Sequence, residues 1–252
     1  MGSAIVLGVA RRSKNFLFHT FDPIHRKSEK LAREVGGKSV RRFADLGACD
    51  YFLLACKPQQ FTDLAASLKE VLKPKAKIIS VLAGISSRRL RNALGIKKVA
   101  RVMPNTPCLI GCGAAAIYFS GMNAAEKKVV RGIFSAVAKV FEVHSDDKID
   151  AATAMIGSGP AYIFEIARIF AKKFGSRGFP KKTAEQIVKE VFKGASLLMD
   201  QSSTSIEELR NKVTSKKGTT AAALKVFQKH HLHQTLEAAL NAAYKRAKQL
   251  SR

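Results

Sequence analysis

The chain has 252 residues, enough for one large domain or two smaller ones with a hydrophobic core in either case. Its 46% hydrophobic and 25% charged residues are typical of a folded globular protein and exclude a disordered or collagen-like chain. A net charge of +25, from 44 Lys and Arg against 19 Asp and Glu, attracts phosphate-bearing partners of every kind. The basic residues are spread along the chain rather than gathered in runs, so we expect no sequence-specific nucleic-acid binding.

No apolar stretch is long enough to cross a bilayer, so no membrane association is expected. The apolar residues 4–10 lack the flanking features of a signal peptide. The four cysteines form no CxxC pair, and Cys108 and Cys112 have no matching His or Cys group nearby. We therefore favour buried free thiols over a metal site, and a reducing cytoplasm as the location.

Short β-rich runs alternate with helical segments from the start of the chain to about residue 145. The expected strands are 15–21, 51–55, 77–82, 99–103, 114–119 and 140–143. The expected helices are 26–34, 61–72, 88–94 and 124–138. Strands alternating with helices indicate an α/β fold, a Rossmann-like doubly wound domain with a parallel sheet over residues 1–145.

The strands stop after about Asp146, and residues 146–252 are predicted to form an all-helical domain. Its expected helices are 161–174, 181–198, 205–213, 219–227 and 232–250. Ile187, Val191 and Leu198 mark an apolar stripe on one of them. Because such stripes exceed what one small domain can bury, we expect a homodimer or a higher homo-oligomer.

The first strand of a doubly wound domain is missing from the sequence. The chain begins with Met1, Gly2 and Ser3, which already read as the start of the first helix, and Gly2 remains as a possible last member of a phosphate-binding turn. The alternative is a frayed helix start. Since the missing strand is central in this architecture, we expect a slot in the sheet. We hypothesise that the natural chain begins roughly ten residues earlier.

The choice between NAD and NADP stays open on the sequence. Asp22 closes a predicted strand, where a carboxylate accepts hydrogen bonds from the adenosine ribose and favours NAD. Arg26 and Lys27 follow, where they could pair with a 2′-phosphate and favour NADP. An equally good interpretation makes Asp22 a helix N-cap, with Pro23 at the first helical position.

Several rarer stretches occur at the ends of predicted strands and at helix starts. They are Ala55-Cys56-Lys57-Pro58-Gln59, Val81-Leu82-Ala83-Gly84-Ile85-Ser86, Arg101-Val102-Met103-Pro104-Asn105-Thr106-Pro107, Gly157-Ser158-Gly159-Pro160-Ala161-Tyr162 and Ser215-Lys216-Lys217-Gly218-Thr219-Thr220. In this order and spacing the chain resembles the pyrroline-5-carboxylate reductases over essentially its whole length. The resemblance implies reduction of 1-pyrroline-5-carboxylate to L-proline with NADPH or NADH, the last step of proline biosynthesis.

Three of these stretches lie at carboxyl ends of predicted strands, where open α/β sheets bind ligands. Lys57 and Pro58 would turn the chain and leave an ammonium near the cofactor, and the Ala83-Gly84 backbone would approach the nicotinamide closely. Asn105 and Thr106 would present an amide and a hydroxyl in a rigid turn. The predicted cofactor-binding residues are Met1, Gly2, Asp22, Ala55, Cys56, Lys57, Pro58, Ala83, Asn105 and Thr106. The alternative for residues 103–107 is a stiff strand exit, and for residues 157–160 we favour a tight loop over direct catalysis.

Residues 218–220 are the predicted substrate site. Backbone N–H groups at a helix start suit a small carboxylate. The resemblance implies that Gly218 and Thr219 hold the carboxylate of pyrroline-5-carboxylate and that the Thr220 hydroxyl lies against the ring nitrogen. It makes Thr220, with Lys57, a catalytic candidate. The alternative is that Thr219 or Thr220 merely caps the helix.

The family loop usually reads Ser-Pro-Gly-Gly-Thr-Thr, whereas this chain carries Lys216 and Lys217 in place of the Pro and the first Gly. If that Gly requires a positive φ, a Lys there costs on the order of 1 kcal/mol or more. Alternatively, Lys217 adds a favourable charge near the carboxylate. The competing functions are a catalytically impaired relative that acts as a scaffold and a basic nucleic-acid-associated protein.

Overall fold

The computed structural model describes residues 1–251 and contains strands and helices in the predicted alternation. The helices are α1 (Gly2–Arg12), α2 (His25–Val35), α3 (Phe61–Lys69), α4 (Ser87–Leu94), α5 (Ala124–Ser135), α6 (Asp146–Ala152), α7 (Gly159–Gly175), α8 (Lys181–Gln201), α9 (Ile206–Lys212), α10 (Thr219–Lys229) and α11 (Leu232–Ser251). The strands are β1 (His19–Thr20), β2 (Lys38–Ser39), β3 (Tyr51–Leu54), β4 (Lys77–Ser80), β5 (Lys98–Pro104), β6 (Gly113–Ser120) and β7 (Ala138–Glu142). The first helix is where the sequence predicts it, and β2 is an additional strand.

The larger sheet has five strands in the order β3-β4-β5-β6-β7. Its pairs are parallel except β5 and β6, so the predicted parallel sheet contains one antiparallel pair. Residues 105–112 join these two strands. A connection this short cannot make the crossover of a dozen or more residues that a parallel pair needs, and the chain therefore turns back on itself.

The amino-terminal strands form a second, separate sheet. β1 and β2 pair in parallel, and among residues 1–251 neither strand joins the five-stranded sheet. β3 is an edge strand that pairs with β4 alone within the same residues. Residues 1–251 therefore contain two separate sheets rather than one continuous sheet.

Apolar side chains cover both faces of the larger sheet. Successive strand residues point to opposite faces, so Ile78 packs with α3 and α4, whereas Ile79 packs with α1 and α5. Both side chains are fully buried. Strands that are buried on both faces read as continuous apolar runs rather than alternating ones, which explains the compact runs in the sequence.

The chain divides into two compact units. The first contains residues Met1–Pro160 together with the residues from Ala242 onward, and the second contains Ala161–Asn241. The second unit is helical throughout its regular elements. Within residues 1–251, no helix combines the length and apolar character that a membrane span requires.

Candidate active site

The start of α1 contacts the end of β3. Met1 is the N-cap of α1, and a β-carbon at position 2 would lie only 2.8 Å from the β-carbon of Ala55, the residue after β3. Only glycine therefore permits this approach without movement. The first N–H groups of a helix have no intrahelical partner, so the α1 start offers donors for an anion beside Ala55. Met1, Gly2 and Ala55 are three of the predicted cofactor-binding residues, and the structure brings Gly2 and Ala55 together.

The turn after Ala55 is fixed by local hydrogen bonds. The Lys57 N–H donates to Gln60 Oε1 at 3.1 Å, and the Gln60 N–H donates to the Lys57 carbonyl at 2.9 Å. Pro58 opens the short helix Pro58–Gln60, where no backbone donor is required. The Lys57 side chain is exposed and forms no ion pair with the residues the structure describes, so its ammonium is available to a ligand.

Cys56 lies half-buried between Ala55 and Lys57. Burial raises the pKa of its thiol above the usual value, although a backbone hydrogen bond opposes the change. A thiol in this state is a small apolar group rather than a nucleophile. Cys56 therefore supplies shape and packing to this part of the site.

The β4–α4 turn carries Ala83 and Gly84. Gly84 has a φ of +72°, and a β-carbon there would lie 2.6 Å from Leu250 Cβ. This glycine is thus required by its backbone conformation and by its contact with the end of α11. Ala83 is partly buried and packs against a cluster that contains Met103 and Ile149.

Asn105 follows β5 and braces the turn that it begins. Its Oδ1 accepts a hydrogen bond from the Ala114 N–H at 3.0 Å, and its carbonyl accepts one from the Cys108 N–H at 3.1 Å. Thr106 is exposed at the start of the next short helix, Thr106–Ile110. The amide nitrogen of Asn105 and the hydroxyl of Thr106 are the groups left for a ligand.

The predicted residues after β3, β4 and β5 share one edge of the sheet. These strands are neighbours and run parallel, so their carboxyl ends lie on the same side. Gly157, which the sequence links to the helical half, belongs to the same unit and packs against Met103 at the end of β5. A β-carbon at position 157 would lie 3.1 Å from Met103 Sδ. The predicted tight loop over residues 157–160 is wrong, because Gly157 ends a π-helical turn, Thr153–Gly157, and Gly159 already begins α7.

Asp22 lies just beyond β1. Its Oδ1 accepts a hydrogen bond at 2.8 Å from the Ile24 N–H, two residues later, which is an Asx turn. The N-cap of α2 is Ile24 and the helix starts at His25, so the alternative that Asp22 is the N-cap and Pro23 the first helical residue is wrong.

Sequence reasoning missed a polar cluster at the carboxyl ends of β1 and β2. Arg41 Nε donates to His25 Nε2 at 3.0 Å, and Ser28 Oγ and Ser39 Oγ lie 2.8 Å apart. The two-residue strand β2 gives no periodic signal, and for that reason Arg41 could not be placed at a strand end. Its guanidinium adds to the positive charge of Arg26 and Lys27 in this part of the unit.

The Ser215–Thr220 loop lies in the helical unit. Lys217 has a φ of +62°. This left-handed conformation suits glycine, which is the usual residue of the family at this position. Gly218 is the N-cap of α10, and its N–H donates to the Ser215 carbonyl at 3.0 Å. Thr219 and Thr220 begin the helix, and no side chain caps it, so the alternative that either threonine is a cap is wrong. Their N–H groups lie in the unpaired first turn of α10.

No group of three or more His, Cys, Asp or Glu side chains among the described residues is arranged to hold a metal ion. The carboxyl edge of the sheet instead suits an anionic organic cofactor. It has few hydrogen-bond acceptors, unpaired N–H donors at the start of α1, and the exposed ammonium of Lys57.

Comparison with known proteins shows which family this chain is similar to. Residues 146–250 match the family model described as pyrroline-5-carboxylate reductase dimerisation. The pyrroline-5-carboxylate reductase of Haemophilus influenzae is 33% identical over 258 aligned positions, covering 99% of this chain and 94% of the relative. That of Pseudomonas aeruginosa is 35% identical and covers 91% of this chain and 85% of the relative.

Solved structures agree with these sequence relatives. A pyrroline-5-carboxylate reductase from Coxiella burnetii superposes with a TM-score of 0.92 and 30% identity, covering 100% of this chain and 95% of the other. A Plasmodium falciparum pyrroline carboxylate reductase with NADP bound gives a TM-score of 0.83 and 25% identity, covering 100% and 95%. The fold and the site define an NAD(P)H-dependent oxidoreductase with a Rossmann-like unit and a helical unit. Its identity to the relatives extends through both units, and the chain belongs to the pyrroline-5-carboxylate reductase family.

Proposed function

We propose that this protein reduces 1-pyrroline-5-carboxylate to L-proline with NADPH or NADH, the last step of proline biosynthesis. The observation that carries the proposal is the 33% identity to a pyrroline-5-carboxylate reductase over 99% of the chain, because it includes the sheet edge and the α10 start alike. The reduced nicotinamide supplies a hydride to the C=N carbon when it is bound. The protein's own task is to position the two rings and to hold the substrate carboxylate.

The cofactor residues of the proposal lie on one edge of the Rossmann-like unit. The α1 start at Met1 and Gly2 offers backbone donors to a pyrophosphate, and the missing β-carbon of Gly2 lets this start lie against Ala55. Lys57 adds a positive charge after β3. Cys56 and Pro58 shape the same turn, and Ala83, Asn105 and Thr106 line the neighbouring strand ends.

Two groups of residues compete over cofactor preference in this proposal. One carboxylate oxygen of Asp22 is held in its Asx turn, which leaves the other for ribose hydroxyls and favours NADH. Arg26, Lys27 and Arg41 favour the 2′-phosphate of NADPH through their charge. Titration of both cofactors against an Asp22→Asn variant decides between them, since loss of the carboxylate weakens NADH binding alone.

The substrate end of the proposal is the start of α10. The unpaired N–H groups of Thr219 and Thr220 bind the carboxylate, with Gly218 as the N-cap. The Thr220 hydroxyl hydrogen-bonds the ring nitrogen and follows its change from imine to amine. A protonated imine already attracts hydride, so the site requires no strong acid residue.

The assembly in this proposal is a homodimer. The family domain over residues 146–250 supports self-association, and the helical unit exposes large apolar side chains. Phe164 is 66% exposed and Leu198 is 56% exposed. Burial of such side chains against a second copy is favourable.

The four free cysteines support a reducing, cytoplasmic location.

The proposal is tested by NAD(P)H oxidation with pyrroline-5-carboxylate, run on this chain and on a version with a strand and a glycine-rich turn added before Met1. Substrate-dependent oxidation by either protein supports a reductase, and a gain in the extended version shows that the added strand completes the cofactor site. Cofactor binding measured by nicotinamide fluorescence provides the control. An absence of saturable binding in both proteins would instead support an inactive scaffold.

A further inference from the structure

The end of α11 rests directly on the backbone of the β4–α4 turn. Gly84 is buried at φ +72°, and a β-carbon there would lie 2.9 Å from the Leu250 carbonyl oxygen as well as close to Leu250 Cβ. No L-residue fits these two constraints without displacing one of the segments. The close approach therefore fixes the distance between the backbone of the β4–α4 turn and the end of α11.

The other side of the same turn is held by α6. Ser87 is the first residue of α4, and its N–H donates to Asp146 Oδ1 at 3.0 Å while its hydroxyl donates to Asp146 Oδ2 at 2.5 Å. Both oxygens of one carboxylate thus hold the end of the turn. Ile149, on the same helix, belongs to the cluster against which Ala83 packs.

Arg101 joins these two contacts through the interior. Its side chain is 1% exposed, and Nη1 donates to Asp146 Oδ1 at 3.0 Å while Nη2 donates to Asp150 Oδ1 at 2.6 Å. Ser251 Oγ, at the end of α11, donates to the same Asp150 oxygen at 2.8 Å. A buried guanidinium needs both carboxylates, so displacement of either one disturbs the other.

We propose that Arg101, Asp146, Asp150, Leu250 and Ser251 form a clamp whose role is to position Ala83 for hydride transfer. The clamp holds the β4–α4 turn at two points, Gly84 and Ser87, and Ala83 directly precedes the first of them. Its members are positioning residues, because Asp146 and Leu250 contact the turn and the others hold these two in place. This inference rests on the proposed function, in which Ala83 lines the nicotinamide side of the site.

Such a clamp has a kinetic consequence. Hydride transfer depends steeply on the distance and alignment of donor and acceptor, and small misplacements slow it strongly. A loosened turn would slow hydride transfer without removing any group that binds the substrate carboxylate. The expected signature is a fall in kcat and a larger primary isotope effect with deuterated cofactor, while KM for pyrroline-5-carboxylate is unchanged.

The test uses two variants. Ser251→Ala removes a hydroxyl of the clamp, and Ser87→Ala removes the hydroxyl of the turn that donates to Asp146. The matched control is Tyr244→Phe, which also removes a hydroxyl hydrogen bond of α11, the one to Asp147 at 2.8 Å, but leaves Arg101 untouched. We expect both serine variants to lower kcat by roughly three- to tenfold and to raise the isotope effect. The control should behave like the wild type.

Equal kcat and isotope effects in all four proteins would overturn the clamp, as would an identical loss in the control. Nicotinamide fluorescence of the bound cofactor provides a second readout that does not require turnover, and we expect it to shift in the serine variants alone. A wild type that binds cofactor with no shift in the variants contradicts the clamp and leaves the proposed function intact. Absence of cofactor binding by both the wild type and the version extended before Met1 contradicts the clamp and the proposed function together.

Discussion

Gly2 and Ala55 approach so closely that a β-carbon on the glycine would lie 2.8 Å from that of the alanine. The contact joins the first turn of α1 to the residue after β3, two segments far apart in sequence. It also places unpaired helix-start donors beside the strand end that carries Lys57. The proposed pyrophosphate site combines these donors with the charge of Lys57.

The first prediction concerns that glycine. We expect Gly2→Val to push the α1 start from Ala55, because a branched side chain cannot occupy the space. The dissociation constant for NADPH should rise by about tenfold or more, and overpacking should cost about 1–3 kcal/mol of unfolding free energy. Fluorescence titration and denaturant unfolding measure the two effects. Gly132→Ala is the control, since a β-carbon at position 132 meets no atom within 4 Å, and it should leave cofactor affinity unchanged.

The second prediction concerns the left-handed residue of the substrate loop. Lys217 has a φ of +62°, a conformation that glycine adopts without steric cost. We expect Lys217→Gly to stabilise the protein by about 0.5–1 kcal/mol, measured as a higher thermal midpoint. Lys216→Gly removes the same charge without relieving a positive φ and should not stabilise. A rise in KM for the substrate in both variants would show that the lysine charges help to bind the substrate. Equal stability of the wild type and both variants would show that the backbone at position 217 is not strained.

The third prediction separates the two threonines of α10. We expect Thr220→Val to lower kcat by about tenfold or more, because one hydrogen bond to the ring nitrogen is lost in the transition state. Thr220→Ser retains the hydroxyl and should restore most of the activity. Thr219→Val keeps the backbone donor and should change kcat little. Equal losses at positions 219 and 220 would show that the hydroxyl of Thr220 has no special role.

The fourth prediction concerns acid stability. Burial alone raises the pKa of the Glu126 carboxyl, but hydrogen bonds from Lys98 Nζ at 2.6 Å and from the Asn123 N–H, with the charges of Lys98 and Lys77, bring the pKa below its usual 4.5. A lowered carboxyl pKa stabilises the folded state above the unfolded pKa, and this contribution disappears as the pH falls below about 4.5.

We therefore expect Glu126→Gln to cost about 1–3 kcal/mol at pH 7 and to flatten the fall in unfolding free energy below pH 4.5. Denaturant unfolding as a function of pH measures both. Glu34→Gln is the control, because its ion pair with Lys30 is exposed and long, at 3.9 Å, and should contribute little. Parallel pH profiles for the wild type and Glu126→Gln would contradict the assignment.

Sequence patterns predicted most of the fold because most elements bury apolar residues at a regular period. α1 begins at Gly2 as expected, and the apolar run that contains Ile78 and Ile79 forms β4. The two-residue strand β2 has too few positions to show a period. The antiparallel pairing of β5 with β6 was also missed, although the short connection at 105–112 contains the information needed to find it.

The candidate site was only partly accessible from the sequence. Family resemblance left open whether position 217 requires a positive φ, and the structure shows a φ of +62° there. It could not indicate that Asp22 binds the Ile24 N–H or that Gly84 meets Leu250, because such contacts join residues through three-dimensional packing. Arg101 reads as one more basic residue in a basic chain, and only its burial between Asp146 and Asp150 distinguishes it.

Hydride transfer to a cyclic imine is tested most directly by following the label from a nicotinamide cofactor deuterated at the transferred C4 position. The protein is incubated with this cofactor and pyrroline-5-carboxylate, and the product is examined by mass spectrometry. We predict singly deuterated proline, with the label on the ring carbon that was double-bonded to nitrogen. Cofactor binding without formation of proline, or proline without the label, would contradict the account.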